Sequence, residues 1–212
     1  MVGSKDKSTK LNKKQELRER SMARLAEASF KLFVLNGYHA TSLDAIASEA
    51  ELTKGAVYFY FRSKENLALY LLDILKHEIA QPLVATIRDT KGSVMDKVIK
   101  YIHCGANFGA NRPYQFLFMI QMAIEFGRQN TPIAIGIRAV YEEIHNALEA
   151  AVKDAQAERT LSPHVRPREF ASMIVAVHDG MTLEWHLRGE DIDGPELVRC
   201  VRQMFLHGIC GN

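Results

Sequence analysis

Helix-start residues recur at short intervals near the beginning of this 212-residue chain, and they constrain its fold more than any other feature. Ser42, Thr53 and Ser63 each precede a stretch with helical apolar spacing. Side chains of this kind accept hydrogen bonds from the free N–H groups of a helix start. Gly37 can supply the left-handed residue that ends the helix before them. The pattern predicts two short helices between two longer ones.

The two short helices and the tight turn between them form one predicted unit. The first helix covers Leu43–Glu49, the turn is 50–52, and the second helix covers Lys54–Tyr60. Packed on the longer helix before them, they make a helix-turn-helix, whose second helix fits the major groove of DNA.

The second short helix contains the most β-prone run of the chain, "VYFYF", because β-branched and aromatic residues suit strands. Helical spacing divides this run, since Val57 and Phe61 are four residues apart and share one face. We expect these two in the core, and Lys54, Tyr58 and Phe59 on the outer face. Tyrosine hydroxyls can donate to phosphates, whereas Phe59 offers only apolar contact, for example to a thymine methyl. The alternative is that all four aromatic side chains belong to the core.

Charge is distributed unevenly along the chain. Residues 1–64 contain 12 Lys and Arg against 7 Asp and Glu, whereas the remainder contains 15 against 18. A basic front part favours an anionic partner such as nucleic acid.

Cysteine use and hydropathy bear on where the chain acts. Three cysteines, Cys104, Cys200 and Cys210, without a CxxC pair argue against a disulfide framework and favour a reducing compartment. The lysine-rich start is not followed by the apolar region of a secretory signal, and the longest apolar stretch is too short to span a bilayer. We therefore expect a cytoplasmic, nucleoid-associated protein with no membrane partner.

The remaining sequence also has helical periodicity, and no pair of strands with hairpin chemistry is recognisable. We predict an all-α protein of about nine helices. A flexible basic arm is expected over 1–15, a helix-turn-helix DNA-binding domain over 16–64, and a ligand-binding and dimerisation domain over 65–212. Pro82 is expected just beyond the end of the helix that begins after Ser63.

Residues 20–67 resemble the DNA-binding domain of the TetR family of transcriptional regulators. The matching positions, all in family spacing, are Leu32-Phe33, Gly37-Tyr38, Thr41-Ser42, Ile46-Ala47, Gly55, Tyr58, Phe61 and Ser63-Lys64-Glu65. The resemblance implies an all-α homodimer with an N-terminal reading head and a C-terminal ligand-binding domain. The segment "TKGAVYFYFRSKENLA" is also similar to the γ-butyrolactone-receptor branch, although that branch is associated with a mid-chain pocket tryptophan and this chain has only Trp185.

The resemblance implies DNA contacts in the helix-turn-helix and at the start of the next helix: Thr41, Ser42, Thr53, Lys54, Gly55, Tyr58, Phe59, Tyr60 and Lys64. We expect Lys64 to attract a phosphate, together with the free N–H groups of its helix start. Two positions depart from the family pattern. Glu51 stands where the family usually has glycine, which predicts a strained backbone, and Tyr60 stands where it often has histidine.

The back of the chain offers candidates for a ligand pocket and for an interface. Methionine and aromatic side chains on its central helices can line an adaptable apolar pocket, or can simply form the core. The candidate ligand-binding residues are Tyr101, Phe108, Phe118, Met122, Phe126, Tyr141 and His178. The resemblance implies that the last two helices form a dimer interface, with ordinary packing within the chain as the alternative. Its candidate residues are Met173, Val177, Gly180, Met181, Leu197, Val201 and Phe205.

These observations predict a ligand-responsive DNA-binding transcriptional regulator, and they favour a repressor over an activator. It would leave a near-palindromic double-stranded operator when a small, mostly apolar effector binds its C-terminal domain. Glu142 and His145 have the spacing of a di-iron bundle but lack a second such unit, so we predict no enzyme, no metal and no cofactor. The alternatives are a small-molecule-binding protein or enzyme with a vestigial DNA-binding domain, and a non-local nucleoid or division factor.

Overall fold

The computed structural model describes the backbone of residues 3–207, and the side chains of 15–189 and 191–207. All regular structure in this range is helical. The helices are α1 (Gly3–Asn36), α2 (Leu43–Glu49), α3 (Lys54–Tyr60), α4 (Lys64–Leu75), α5 (Gln81–Asp89), α6 (Val94–Asn111), α7 (Pro113–Phe126), α8 (Pro132–Ala157), α9 (Pro167–Arg188) and α10 (Gly194–His207). A π turn joins α4 to α5 over 76–80, and a short 3₁₀ turn follows α9. The chain divides between Leu71 and Leu72 into two compact units.

The all-α prediction is confirmed, and two boundaries differ from expectation. The segment 1–15, expected as a flexible arm, belongs to α1 from Gly3 onward, and no proline or later glycine interrupts that helix. Pro82 was expected beyond a helix end, but it lies in the first turn of α5. In the π turn before it, the Gln81 N–H donates to the Lys76 carbonyl five residues back. This wider turn carries the helix past the proline, so α5 follows α4 without an intervening loop.

The three predicted caps of the first unit are confirmed. Ser42 Oγ accepts from the Ala45 N–H at 3.1 Å, and Thr53 Oγ1 accepts from the Ala56 N–H at 3.2 Å. Ser63 Oγ accepts from the Asn66 N–H at 3.1 Å. These bonds satisfy donors that each helix start leaves free, so the sequence itself fixes where α2, α3 and α4 begin.

The core of the first unit holds α3 in place through one of its faces. Val57 is fully buried and Phe61 is 5% exposed, as predicted from their spacing. The other fully or almost fully buried side chains of this core come from α1 and α2, and include Leu25, Phe30, Phe33, Leu43 and Ile46. Phe61 also contacts Tyr70 of α4, with ring centroids 5.2 Å apart. The anchoring face of α3 is therefore apolar, which leaves its opposite face for solvent or a partner.

The turn between α2 and α3 depends on a residue with left-handed backbone. Glu51 has a φ of 51°, which confirms the strain predicted at this position. The Glu51 N–H donates to the Ser48 carbonyl and the Leu52 N–H donates to the Ala47 carbonyl, so the two bonds close the end of α2. The Glu51 carboxylate pairs with Arg24 of α1 at 2.7 Å, but both side chains are exposed, so the pair stabilises little.

Thr41 lies inside the first unit, which corrects its expected role as a DNA contact. Its side chain is 2% exposed. Its hydroxyl is within hydrogen-bond distance of the carbonyls of Leu32 at 3.1 Å and Gly37 at 2.8 Å. The hydroxyl thus ties the segment before α2 to the end of α1, and it does not face a DNA backbone.

Lys64 holds the same segment from the other side. Its Nζ donates to the carbonyls of Tyr38 at 2.7 Å, His39 at 3.0 Å and Thr41 at 3.0 Å, and lies 4.6 Å from the centre of the Tyr38 ring. An ammonium has three donors, and three carbonyls accept from it here. The expected phosphate contact of this side chain is therefore replaced by a structural role, in which α4 fixes the loop ahead of α2.

The second unit is built around α6, α7 and α8. The largest side chains of its core are buried almost completely and include Tyr101, Phe116, Phe118, Met122 and Ile144. α9 packs along α8, and α10 packs along α6. Within this unit, the faces that α6, α9 and α10 turn toward one another set the position of a cavity.

We predict that Glu51→Gly yields a more stable protein than Glu51→Ala, by up to about 1 kcal/mol. Both variants lose the Arg24 pair equally, but only glycine adopts a positive φ without a steric penalty, and its greater freedom in the unfolded chain offsets part of the gain. Urea unfolding followed by circular dichroism measures the difference. An alanine variant at least as stable as the glycine variant would contradict a strained Glu51.

We also predict that Lys64→Met destabilises the first unit by about 1–3 kcal/mol, because three carbonyls lose a charged donor while the apolar stem stays over Tyr38. Arg62→Met is the matched control, since it removes the same charge from an exposed side chain two residues earlier. Hydrogen exchange should accelerate at 38–42 in Lys64→Met alone. Equal protection in both variants would show that the ammonium does not hold this loop.

Candidate nucleic-acid interface and effector cavity

The outer face of α3 presents large side chains to solvent. Tyr58 is 51% exposed and Phe59 is 81% exposed, although both belong to a seven-residue helix with a buried neighbour. Tyr60 is half-buried, and its ring meets that of Phe59 edge-on with centroids 5.5 Å apart. An exposed aromatic pair on a helix that is anchored from behind is suited to contact another macromolecule.

The start of α3 leaves room for close approach. A Cβ built on Gly55 would meet no atom within 4 Å, so its backbone stands open. Thr53 and Lys54 beside it are both exposed. A second backbone, such as a DNA strand, can therefore come near this first turn without steric conflict.

Lys54 makes an ion pair that the sequence analysis missed. Its Nζ lies 2.6 Å from Asp44 Oδ2 on α2. The hydrogen bond to Asp44 and the charge of that carboxylate raise the pKa of Lys54. The two residues are ten positions apart in sequence, and only the turn between α2 and α3 brings them together.

The structure thus groups part of the predicted DNA-contacting set on one surface. Lys54, Gly55, Tyr58 and Phe59 lie exposed on α3, with the caps Ser42 and Thr53 at exposed helix starts and Tyr60 half-buried beside them. Thr41 and Lys64 are held by carbonyls of their own unit, as described above. We call Lys54, Gly55, Tyr58 and Phe59 the reading face.

A cavity of about 500 Å³ lies in the second unit, between α6, α9 and α10. Its lining residues are His103, Ala106, Asn107, Gly109, Ala110, His178, Met181, Thr182, Trp185, Gly194, Pro195, Leu197, Val198 and Arg199. The buried part of the lining includes Gly109, Thr182 and Val198, and the exposed part includes Asn107 and Arg199. An apolar interior with polar side chains near solvent is typical of a small-molecule site.

This cavity does not coincide with the predicted ligand-binding cluster. Tyr101, Phe118, Met122 and Phe126 are at most 6% exposed and lie in the core of the second unit rather than along the cavity. They are residues of the buried core, which is the alternative left open for them. Phe108 is half-buried and is also outside the cavity lining, so His178 is the predicted ligand residue that reaches it.

Several lining residues were predicted for other roles or missed. Met181 and Leu197, expected at a dimer interface, face the cavity. Trp185 and the glycine Gly109 were not considered as ligand residues. Trp185 lies seven residues after His178, four after Met181 and three after Thr182. This spacing places the four side chains on one face of α9, and it is the sequence signal that indicates this part of the lining.

His178 is buried in the wall of the cavity, where it is 2% exposed. Its ring packs against Tyr101 and Phe116, with centroids 5.3 and 5.1 Å away. A Cβ on Gly105 would lie 2.0 Å from His178 Nε2, so the absence of a side chain on Gly105 makes room for the imidazole. His178 Nδ1 lies 3.5 Å from Asp179 Oδ1.

A shallow groove lies on the other side of Asp179, between α7 and α8. Tyr141 lines it and donates from its hydroxyl to Asp179 Oδ2 at 3.0 Å. Burial first, and then the charge of Asp179, raise the pKa of Tyr141 far above its ordinary value. His145 stacks on Tyr141, and its burial lowers the pKa of that histidine. Tyr141 is therefore a neutral donor that orients Asp179, and this predicted ligand-binding residue lines the groove rather than the cavity.

The predicted interface residues on α9 and α10 differ in how much of each residue is exposed to solvent. Met173 is 45% exposed and Gly180 is exposed, whereas Val177 and Phe205 are half-buried. Val201 is 9% exposed, because α10 packs through it against α6 of its own chain. Val201 is thus corrected to a residue of intrachain packing.

None of the helices among residues 3–207 combines the length and apolarity needed to cross a bilayer. Over the described side chains, no cluster of three or more His, Cys, Asp or Glu has the arrangement of a metal site.

Comparison with known proteins gives matches in both units of the chain. Residues 25–71 match the family model described as bacterial regulatory proteins of the tetR family. Residues 128–210 match the model described as the C-terminal part of a BetI-type transcriptional repressor. The two models thus cover the helix-turn-helix and the part of the chain after α7, which includes α8, α9 and α10.

Individual relatives extend this comparison over most of the chain. The crystal structure of the MbdR regulator from Azoarcus sp. CIB is 30% identical, with a TM-score of 0.80 over 90% of this chain and 99% of that one. The fatty-acid regulator FadR from Bacillus subtilis, solved in complex with stearoyl-CoA, is 18% identical with a TM-score of 0.74, over 89% of this chain and 99% of that one. At that identity it shares the fold.

A third relative matches only the front of the chain. The regulator YuxN of Bacillus subtilis is 47% identical over 49 residues, which are 23% of this chain and 17% of that protein. The helix-turn-helix geometry, the family models and the full-length match to MbdR agree, and the chain belongs to the TetR family of DNA-binding transcriptional regulators.

Proposed function

We propose that this regulator is a homodimeric repressor that leaves its operator when a small molecule occupies the cavity between α6, α9 and α10. The observation that carries the proposal is the reading face, whose large side chains are exposed while Val57 and Phe61 fix the same helix from behind. Two such faces, one per subunit, fit neighbouring major grooves of a near-palindromic site whose half-sites are about 34–36 Å apart or a multiple of that.

The reading face contains both kinds of contact that a specific site requires. The Tyr58 hydroxyl donates to a phosphate, which positions the helix without reading sequence. Phe59 has no polar atom in its side chain and is 81% exposed, so it reads an apolar feature of a base edge. In the major groove that feature is the thymine methyl group.

The cavity supports an effector with a mostly apolar body. Its lining is apolar apart from a few polar side chains, and its volume of about 500 Å³ falls in the range of small-molecule sites. FadR from Bacillus subtilis, which shares the fold, was solved with stearoyl-CoA. We therefore propose an acyl thioester as effector, with its acyl chain inside the cavity and its polar part near Asn107 and Arg199.

The response needs only a modest coupling between cavity and DNA. α6 lines the cavity and also packs on α5, which continues α4 through the π turn. A displacement of α6 can therefore be passed to α5, which follows α4 directly in the chain. A coupling of about 1–3 kcal/mol changes DNA affinity by about 5- to 150-fold.

The DNA-binding part is tested by selecting an operator from a random duplex library with the wild-type protein. We predict that Phe59→Ala then lowers affinity for the selected operator by about 5- to 150-fold, which corresponds to about 1–3 kcal/mol for a base contact. Affinity for a scrambled duplex should stay within about twofold.

Leu35→Ala is the matched control for that measurement, because Leu35 is also an exposed apolar side chain of the first unit but lies on α1. It should alter neither affinity. Equal losses on operator and scrambled duplex in Phe59→Ala would assign Phe59 to the fold or to non-specific contact. Failure of the wild type to enrich any sequence would refute an operator-binding repressor.

The effector part is tested with acyl-CoA thioesters of graded chain length, added to the protein bound to its selected operator. We predict that at least one releases the DNA, and that Gly109→Leu abolishes this release while operator affinity without effector is kept. A Cβ on Gly109 meets only Thr182 Oγ1, at 4.0 Å, so a larger side chain fills the cavity.

Lys100→Leu is the control on the same helix, because Lys100 is exposed and outside the cavity lining. It should respond to the thioester as the wild type does. If no thioester releases DNA, the proposed effector class is wrong, although operator binding stands. If Gly109→Leu still responds fully, the effector binds elsewhere.

A further inference from the structure

Lys54 is the one cation of the reading face, and it forms an ion pair with Asp44. Lys54 Nζ and Asp44 Oδ2 are 2.6 Å apart, and the two side chains are 70% and 44% exposed. Lys54 is in the first turn of α3, and Asp44 is in the first turn of α2. The carboxylate therefore stands beside the surface that meets an anionic polymer.

We propose that Asp44 is a specificity-determining residue, which holds Lys54 on non-specific DNA and releases it only where the operator offers a base-edge acceptor in its place. This inference rests on the proposed operator binding. It assigns to Asp44 a role in rejecting DNA of the wrong sequence, which the family resemblance does not attribute to it.

A free lysine on this face would favour every DNA sequence alike. Each ammonium that neutralises a phosphate adds affinity that does not depend on sequence, together with a salt dependence of about 0.9 in the logarithmic slope. Because a genome contains vastly more wrong sites than right ones, this added affinity lowers the useful discrimination. A carboxylate at 2.6 Å supplies the neutralisation from within the protein and also repels approaching phosphates.

The pair is weak enough to be exchanged. An exposed ion pair contributes only about 0.2–1 kcal/mol, so a well-placed acceptor can replace Asp44 at little cost. Guanine presents two such acceptors, O6 and N7, to a lysine in the major groove. A phosphate reached in a less favourable geometry does not compensate for both the lost pair and the nearby negative charge.

A purely structural role of Asp44 would have a different consequence. An acidic side chain in the first turn of a helix stabilises that helix through its dipole, and Asp44 occupies this position in α2. Such a role affects stability, but it does not change the ratio between affinities for two DNA sequences.

The test compares wild type with Asp44→Asn on the selected operator and on a scrambled duplex, by fluorescence anisotropy over a range of salt concentrations. We expect affinity for the scrambled duplex to rise about two- to fivefold per reading head, with the affinity for the operator rising less. The salt slope on the scrambled duplex should become more negative by about 0.9 per head.

Glu49→Gln is the matched control. Glu49 pairs with Lys31 at the same 2.6 Å distance in the same unit, but neither residue is on α3. This variant should leave the ratio of affinities unchanged. An unchanged ratio in Asp44→Asn as well would overturn the inference while leaving the proposed function intact.

The double variant Asp44→Asn with Lys54→Met shows whether the effect passes through Lys54. In the Lys54→Met background, replacing Asp44 should change affinity for the scrambled duplex by less than half as much, because no ammonium remains to be released. If replacing Asp44 changes the affinity for the scrambled duplex as much in that background as in the wild type, Asp44 acts by general repulsion of DNA. That result would overturn the inference that Asp44 acts through Lys54. If the wild-type protein enriches no sequence from the random duplex library, both the proposed function and this inference are overturned.

Discussion

Burial of one face of α3 is the constraint on which the rest of the DNA-binding unit depends. Val57 and Phe61 contribute about 1.5–3 kcal/mol each when buried, and they fix the rotation of a helix of only seven residues. Such a short helix is not stable alone, so this packing also makes it helical. Once that face is fixed, Tyr58 and Phe59 must face outward. The aromatic run thus holds the helix and presents its contact surface at the same time.

Positive charge near the reading face is used mainly within the protein. Lys64 donates to three carbonyls of 38–41, and Lys54 pairs with Asp44. The first arrangement is part-buried and shapes the loop ahead of α2, whereas the second is exposed and exchangeable. Burial decides this difference, because an ammonium with three carbonyl acceptors cannot leave them without leaving polar groups unpaired. A count of basic residues therefore overestimates the number of cations available to DNA.

The second unit separates its core from its cavity. Most of the aromatic and methionine side chains of α7, together with Tyr101 of α6, are buried in the core. The cavity lies instead beside several residues with small side chains, Gly109 among them, and its lining also includes Trp185 and Val198. The large aromatic residues of the core were poor guides to the cavity, because they are buried in the core and are not part of its lining.

The sequence by itself determined the all-helical fold, the starts of α2, α3 and α4 and the inward-facing Val57 and Phe61, whereas the left-handed Glu51 was implied by the family resemblance. These depend on caps, backbone conformation and helical period, all of which act within a few residues. Tertiary structure alone decided that Thr41 and Lys64 face inward, that Asp44 meets Lys54, and that the cavity lies between α6, α9 and α10. These depend on which side chains meet across a turn or between helices distant in sequence, and local spacing contains no information about such distances.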